Sequence, residues 1–139
     1  MITEDYVSFE TAKLLKEKGF DETCRAFWKD WNNELHLCSC CSSHVFEWCH
    51  NSMLEEYYND NEETNIAAPT LQMVMKWLRK AHDIFIRPNI SFLYPIRYYC
   101  EIFCYGDNLN TQQDVTTENF KNPEEACEAA IKYCLENLI

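Results

Sequence analysis

Seven side chains able to hold a soft metal or carry thiol chemistry fall between positions 36 and 50: His36, Cys38, Cys40, Cys41, His44, Cys49 and His50. Cys38-Ser39-Cys40-Cys41 contains a C-x2-C, and His44 and Cys49 follow closely. Cys38, Cys41, His44 and Cys49 could therefore supply the four nitrogen or sulfur donors of tetrahedral zinc. Residues 30–75 carry eight carboxylates and no basic side chain, which favours a cation nearby. Against zinc, adjacent Cys40 and Cys41 point differently, no second C-x2-C follows, and no glycine supplies a tight turn. Structural or solvent-exposed thiols are the favoured reading, with zinc and a redox role as alternatives, and no cofactor is expected. Cys100 and Cys104 at strand spacing, like Cys127 and Cys134 at helical spacing, read as small core hydrophobes.

Enzyme chemistry finds less support. The chain's two glycines, Gly19 and Gly106, are explained by a helix cap and a turn, leaving no phosphate loop, dinucleotide fingerprint or nucleophile elbow. Cys49 and His82 could be drawn together as a nucleophile and base, but a chain with nine cysteines offers many such pairs. His82 ends a helix and suits the negative end of its dipole. The sequence therefore reads as a non-enzyme without catalytic residues.

Charge narrows the partners. The net charge is −11, yet residues 76–97 hold five basic groups against one acidic. Lys76, Arg79, Lys80, Arg87 and Arg97 read as the wet side of a helix and neighbouring strands, pairing with the chain's own carboxylates. A nucleic-acid contact needs a broader basic face, so neither nucleic acid nor an anionic membrane is an expected partner. No apolar stretch approaches the about 18 residues of a membrane span. Met1-Ile2-Thr3-Glu4-Asp5 lacks the layout of a secretory signal, and the odd number of cysteines cannot all pair within one chain, so reduced thiols and a cytoplasmic location are expected.

The elements that must position these groups are an α+β set. Ser8 caps a helix near 9–18 that Gly19 ends, with Ala12, Leu15 and Phe20 toward the core. Residues 23–37 read as a β-hairpin, with a continuous helix from Asp21 as competitor. Residues 38–68 form an irregular Cys/His-rich and acidic segment whose Asn59–Asn65 stretch reads as an exposed loop. Thr70 opens a helix over 71–82 with Leu71, Val74, Met75, Leu78 and Ala81 as its stripe. Ile84-Phe85-Ile86 reads as a strand stopped by Arg87-Pro88-Asn89. A second strand spans 96–105, and a third is expected near 114–117. Asn122-Pro123-Glu124-Glu125 combines an N-cap, a Pro at N1 and a Glu at N3, and opens a helix to about 138. The expectation is a single domain over 1–139, its 69–139 half ordered helix, strand, strand, helix, with about three amphipathic helices on one small antiparallel sheet.

Three blocks, Leu14 to Glu22, Ala68 to Arg79 and Asn122 to Ile139, resemble a family of small uncharacterised proteins encoded by gut Bacteroidales and their phages or other mobile elements. The resemblance implies a bacterial or phage-borne cytoplasmic protein, and its blocks hold capping and core residues rather than a catalytic motif. The 69–139 order also looks like the topology of a double-stranded RNA-binding domain. That family carries a lysine-rich turn where this chain has Asn122-Pro123-Glu124-Glu125, so the likeness is one of topology alone. The favoured role is an accessory protein that contacts another protein through Tyr99, Phe103 and Tyr105 on one face of strand 96–105. An acidic DNA mimic that inhibits a host nucleic-acid enzyme and a small zinc-stabilised binding module are the alternatives.

Overall fold

The computed structural model describes residues 2–38, 40–41, 44–45, 48–57, 59, 64–104, 115–116 and 119–139. The chain divides into two compact units, Met1–Thr70 and Leu71–Ile139.

In the first unit, helix α1 (Phe9–Glu17) begins where Ser8 Oγ accepts the Thr11 N–H at 3.3 Å. It ends in a Schellman arrangement: the Phe20 N–H reaches Leu15 O at 2.9 Å and the Gly19 N–H reaches Lys16 O at 3.1 Å. Gly19 sits at φ +84°, which favours glycine, and Leu15 and Phe20 are both buried. Strands β1 (Ala26–Lys29) and β2 (Glu34–Leu37) form the expected hairpin, Ala26 opposite Leu37, through a turn with Asn33 at φ 53°. The helical alternative for 23–37 is excluded.

Cys40–Cys41 (β3) and His44–Val45 (β4) pair as a two-residue ladder. Helix α2 (Asn51–Tyr57) follows, within a stretch whose sequence signals are mixed, and β5 (Asn65–Ala67) adds to the free side of β1, giving the order β2-β1-β5. Buried Asn51 ties these pieces together: its Nδ2 donates to Phe20 O at 2.8 Å and its Oδ1 accepts the Ala67 N–H at 3.0 Å. Asn65, expected in an exposed loop, is instead buried in β5, its N–H donating to Asn59 Oδ1 at 2.7 Å. Residues 60–63 of that loop lie outside the described residues.

The second unit runs α3 (Leu71–His82), β6 (Ile84–Ser91), β7 (Arg97–Cys104), β8 (Val115–Thr116), α4 (Pro123–Asn137). Its sheet has the order β6-β7-β8, all antiparallel, with α3 packed on β6 and α4 on both β6 and β7. Asn122 Oδ1 accepts the Glu125 N–H at 2.8 Å, so α4 starts at the expected cap. Ile84, Ile86, Cys100 and Ile102 meet Leu71, Val74, Leu78, Ala130, Ile131, Cys134 and Leu135 in the core of this unit, a one-sided packing of helices on sheet.

The α+β class expected from the sequence holds, with three departures in detail. Helix α1 packs on β5, a strand of a different sheet from the one under α3 and α4. Strand β6 passes through Pro88 to Ser91, because β6 is an edge strand and the missing N–H of Pro88 costs no ladder on its open side. Ala81, expected in the buried stripe of α3, is exposed one turn beyond Leu78, next to the helix end where Asp83 takes a left-handed conformation at φ 54°. Among the described residues no helix is long and apolar enough to cross a membrane.

Candidate functional site

The cysteine and histidine cluster resolves into separate groups. Cys24 and Cys49 face each other in an antiparallel bridge, Cys24 N–H to Cys49 O at 2.6 Å and Cys49 N–H to Cys24 O at 2.8 Å. The Cys38 N–H, at the end of β2, donates to Arg25 O at 2.7 Å, and Cys38 Sγ lies 4.0 Å from Cys24 O. These bonds set both cysteines at one carbonyl, Cys24 O, which accepts the Cys49 N–H at 2.8 Å and lies 4.0 Å from Cys38 Sγ. Cys49 Sγ, which is buried, also donates to Ala26 O at 3.3 Å.

The thiols of this group titrate in opposite directions. A hydrogen bond from Cys49 holds the Cys38 thiol below its ordinary range despite partial burial. That same hydrogen bond, with burial and the nearby sulfurs, pushes Cys49 far upward. Burial pushes Cys24 up to about 12.

His50 and His36 are engaged elsewhere. His50 Nδ1 lies 3.2 Å from Asp21 Oδ1 and 3.4 Å from the Met53 amide nitrogen, at the start of α2. Asp21 also accepts from Ser52 N at 2.7 Å and Ser52 Oγ at 2.5 Å. Burial raises the Asp21 carboxyl, but the bonds from Ser52 and His50 outweigh it and leave a net lowering. His36 stacks on Phe27 at 5.7 Å with Nε2 3.4 Å from Glu34. Of the four residues weighed as zinc ligands, Cys38 and Cys49 are brought together, while the side chains of Cys41 and His44 lie outside the described residues. Among the described residues no three His, Cys, Asp or Glu side chains are arranged to hold a metal ion. Cys24, which no spacing pattern groups with Cys38 and Cys49, carries the bridge that positions Cys49 and the carbonyl that Cys38 Sγ approaches.

A second thiol group lies between α4 and β7. Cys100 Sγ donates to Cys127 Sγ at 3.9 Å, and both residues are buried. This bond lowers Cys127 and raises Cys100, while burial lifts Cys134 to about 12 and also raises Cys104. Cys100, Cys127 and Cys134 thus occupy the core positions expected of them, and Cys104 is half-buried. Cys49 and His82 lie in different units, and the His82 ring packs edge-on to Trp77 at 4.7 Å.

The cations behave as a solvated helix side and sheet partners. Lys76, Arg79 and Lys80 are exposed on α3, and Arg87 pairs with Glu101 across β6 and β7, its Nε 2.6 Å from Oε2. Arg87 also lies over the Phe103 ring at 5.1 Å, and Phe85 packs 6.5 Å from it. Tyr99 and Phe103 are consequently half-buried on the sheet face away from the helices, and Tyr105 lies outside the described residues.

Greater apolar exposure occurs where β6 turns into β7. Phe92, Leu93, Tyr94 and Ile96 are 85%, 81%, 96% and 52% exposed, around a cis Tyr94–Pro95 peptide. In the first unit Ile2, Trp31, Leu35, Leu37, Trp48 and Tyr57 are exposed. The signal for the tip was present in the sequence: an apolar Phe-Leu-Tyr-Pro-Ile run separating two strands, where a connecting turn is ordinarily polar. Comparisons with protein-family models, with curated proteins and with solved structures give no match.

Proposed function

We propose that this protein is a non-enzymatic accessory protein that acts by binding another protein, and that its contact element is the β6–β7 hairpin tip, Phe92 to Ile96. The observation carrying this reading is the exposure of four large apolar side chains within five residues of a connecting turn. Burying a Phe, Leu or Ile side chain contributes roughly 1.5–3 kcal/mol each, a gain the isolated chain leaves largely unrealised at this tip. Aromatic and aliphatic side chains of this kind are the usual core of a protein interface. A lipid surface or a nucleic acid fits less well, because the chain carries a net charge of −11. The stretch that holds the tip, residues 76–97, carries five basic groups against one acidic, which favours a partner with an apolar groove and an acidic rim. Tyr99 and Phe103 extend the contact along the hairpin only as far as Arg87 and Phe85 leave their rings open.

The test is affinity capture with the full chain beside a Phe92→Ser/Tyr94→Ser chain of unchanged circular dichroism. A specific protein retained by the first and reduced about tenfold or more with the second is the expected result, a loss of about 1.4 kcal/mol or more. Equal capture by both chains would remove the tip from the function, and recovery of no protein would remove the function itself. Sedimentation of both chains over a range of concentrations separates a foreign partner from a second copy of this chain.

A further inference from the structure

We propose that Cys38 and Cys49 are a reversible dithiol/disulfide pair, in which Cys38 attacks a disulfide-containing substrate and Cys49 resolves the mixed disulfide. The two cysteines are eleven positions apart, so no C-x-x-C motif joins them. What brings them together is the backbone. The Cys24–Cys49 bridge fixes one sulfur beside residues 24–26, and the Cys38 N–H bond to Arg25 O fixes the other there.

The two sulfurs are unequal in the way that such exchange requires. Cys38 is partly accessible, lies just beyond the end of β2, and has its thiolate favoured by the Cys49 thiol. Cys49 is sealed and keeps its proton, which suits a residue that acts second and acts internally.

Each step balances. The Cys38 thiolate attacks one sulfur of a low-molecular-weight disulfide, forming a Cys38–S–S–R bond and breaking the R–S–S–R bond, and one R–S⁻ leaves. Cys49 then attacks the Cys38 sulfur, forming the Cys38–Cys49 bond and breaking the Cys38–S–R bond, and its proton passes to the departing second thiolate. The two protons released by the cysteines are taken up by the two leaving thiolates. Cys38 and Cys49 are together oxidised by two electrons, and the disulfide is reduced to two thiols. In the disulfide formed the two sulfurs stand roughly 2.05 Å apart.

The experiment equilibrates the full chain, under native conditions, with mixtures of glutathione and glutathione disulfide, followed by acid quenching, alkylation and peptide mapping. The expected product is a Cys38–Cys49 disulfide in about tenfold or greater excess over any other cysteine pair. It is expected to persist in a Cys40→Ser/Cys41→Ser chain. In a Cys49→Ser chain, or in Cys49→Ala if serine at that buried position unfolds the protein, a single glutathione is expected to stay on Cys38. A Cys38 that remains a thiol across all mixtures would overturn the proposal. So would a bond from Cys38 to Cys24, Cys40 or Cys41 in the unmodified chain, or the absence of the trapped adduct from a folded Cys49 variant.

Discussion

Two pairs of thiols in this molecule share one chemistry and differ in their surroundings. In Cys38 with Cys49, and in Cys100 with Cys127, one thiol is lowered and its partner raised by the other. Cys100 on β7 and Cys127 on α4 face each other beside Ala130, Ile131 and Cys134, where neither water nor a reagent reaches them while the helix stays docked. Cys38 stands at the end of a hairpin edge, half open to solvent, with only its partner sealed. A lowered thiol is a nucleophile in the first unit and a packing contact in the second. Access decides between these outcomes, because a thiolate reacts only where a substrate can approach along the line of the forming bond.

Native-state alkylation gives the widest separation. Cys38 is expected to react with a small electrophile at an ordinary thiolate rate. Cys127 waits for the unit to open and reacts roughly a thousandfold or more slowly, given domain stabilities of 5 kcal/mol upward. The rise of the Cys38 rate with pH is expected at lower pH than in the denatured chain. Its folded pKa is depressed, so the thiolate is populated earlier as pH rises and is lost as pH falls through that depressed value. Alkylation timed by mass spectrometry at several pH values reads both effects, and equal rates for the two cysteines would erase the distinction.

Substitution sharpens it on the side of stability. Cys100→Ser places a hydroxyl in the closed layer and is expected to cost about 1–3 kcal/mol. Cys38→Ser, at a half-open position, stays within about 0.5 kcal/mol. Urea unfolding followed by circular dichroism measures both, and a larger loss for Cys38→Ser would reverse the assignment of sealed and open sites.

The smallest effect probes what keeps the second pair shut. Asn122→Ala removes the acceptor for the Glu125 N–H and is expected to cost about 1 kcal/mol at the start of α4. If the docked start of α4 is what seals Cys127, its alkylation should accelerate by roughly fivefold while Cys38 is unchanged. An unchanged Cys127 rate would show that another element excludes the reagent.

What the sequence determined by itself was local, and it was extensive. Ser8 and Gly19 bracket α1, Asn122-Pro123-Glu124 starts α4, and the stripe of Leu71, Val74 and Leu78 orients α3, because caps and helical periodicity act within a few residues of chain. The alternation in 97–104 likewise placed Cys100 and Ile102 inward without knowledge of any partner. Tertiary structure decided the rest. Pro88 reads as a strand end until the sheet order makes β6 an edge, and Asn65 reads as loop until β1 offers it a ladder. The short α2 had no visible start signal, because much of its capping comes from Asp21, thirty-one residues away from Ser52. Spacing alone grouped Cys38 and Cys49 as metal donors, whereas their pairing depends on Cys24 and Arg25, which are close only once the chain has folded back on itself. Backbone hydrogen bonds between distant segments carry no periodicity in the sequence, so the positions they bring together, and the access left to each, are fixed only by the fold.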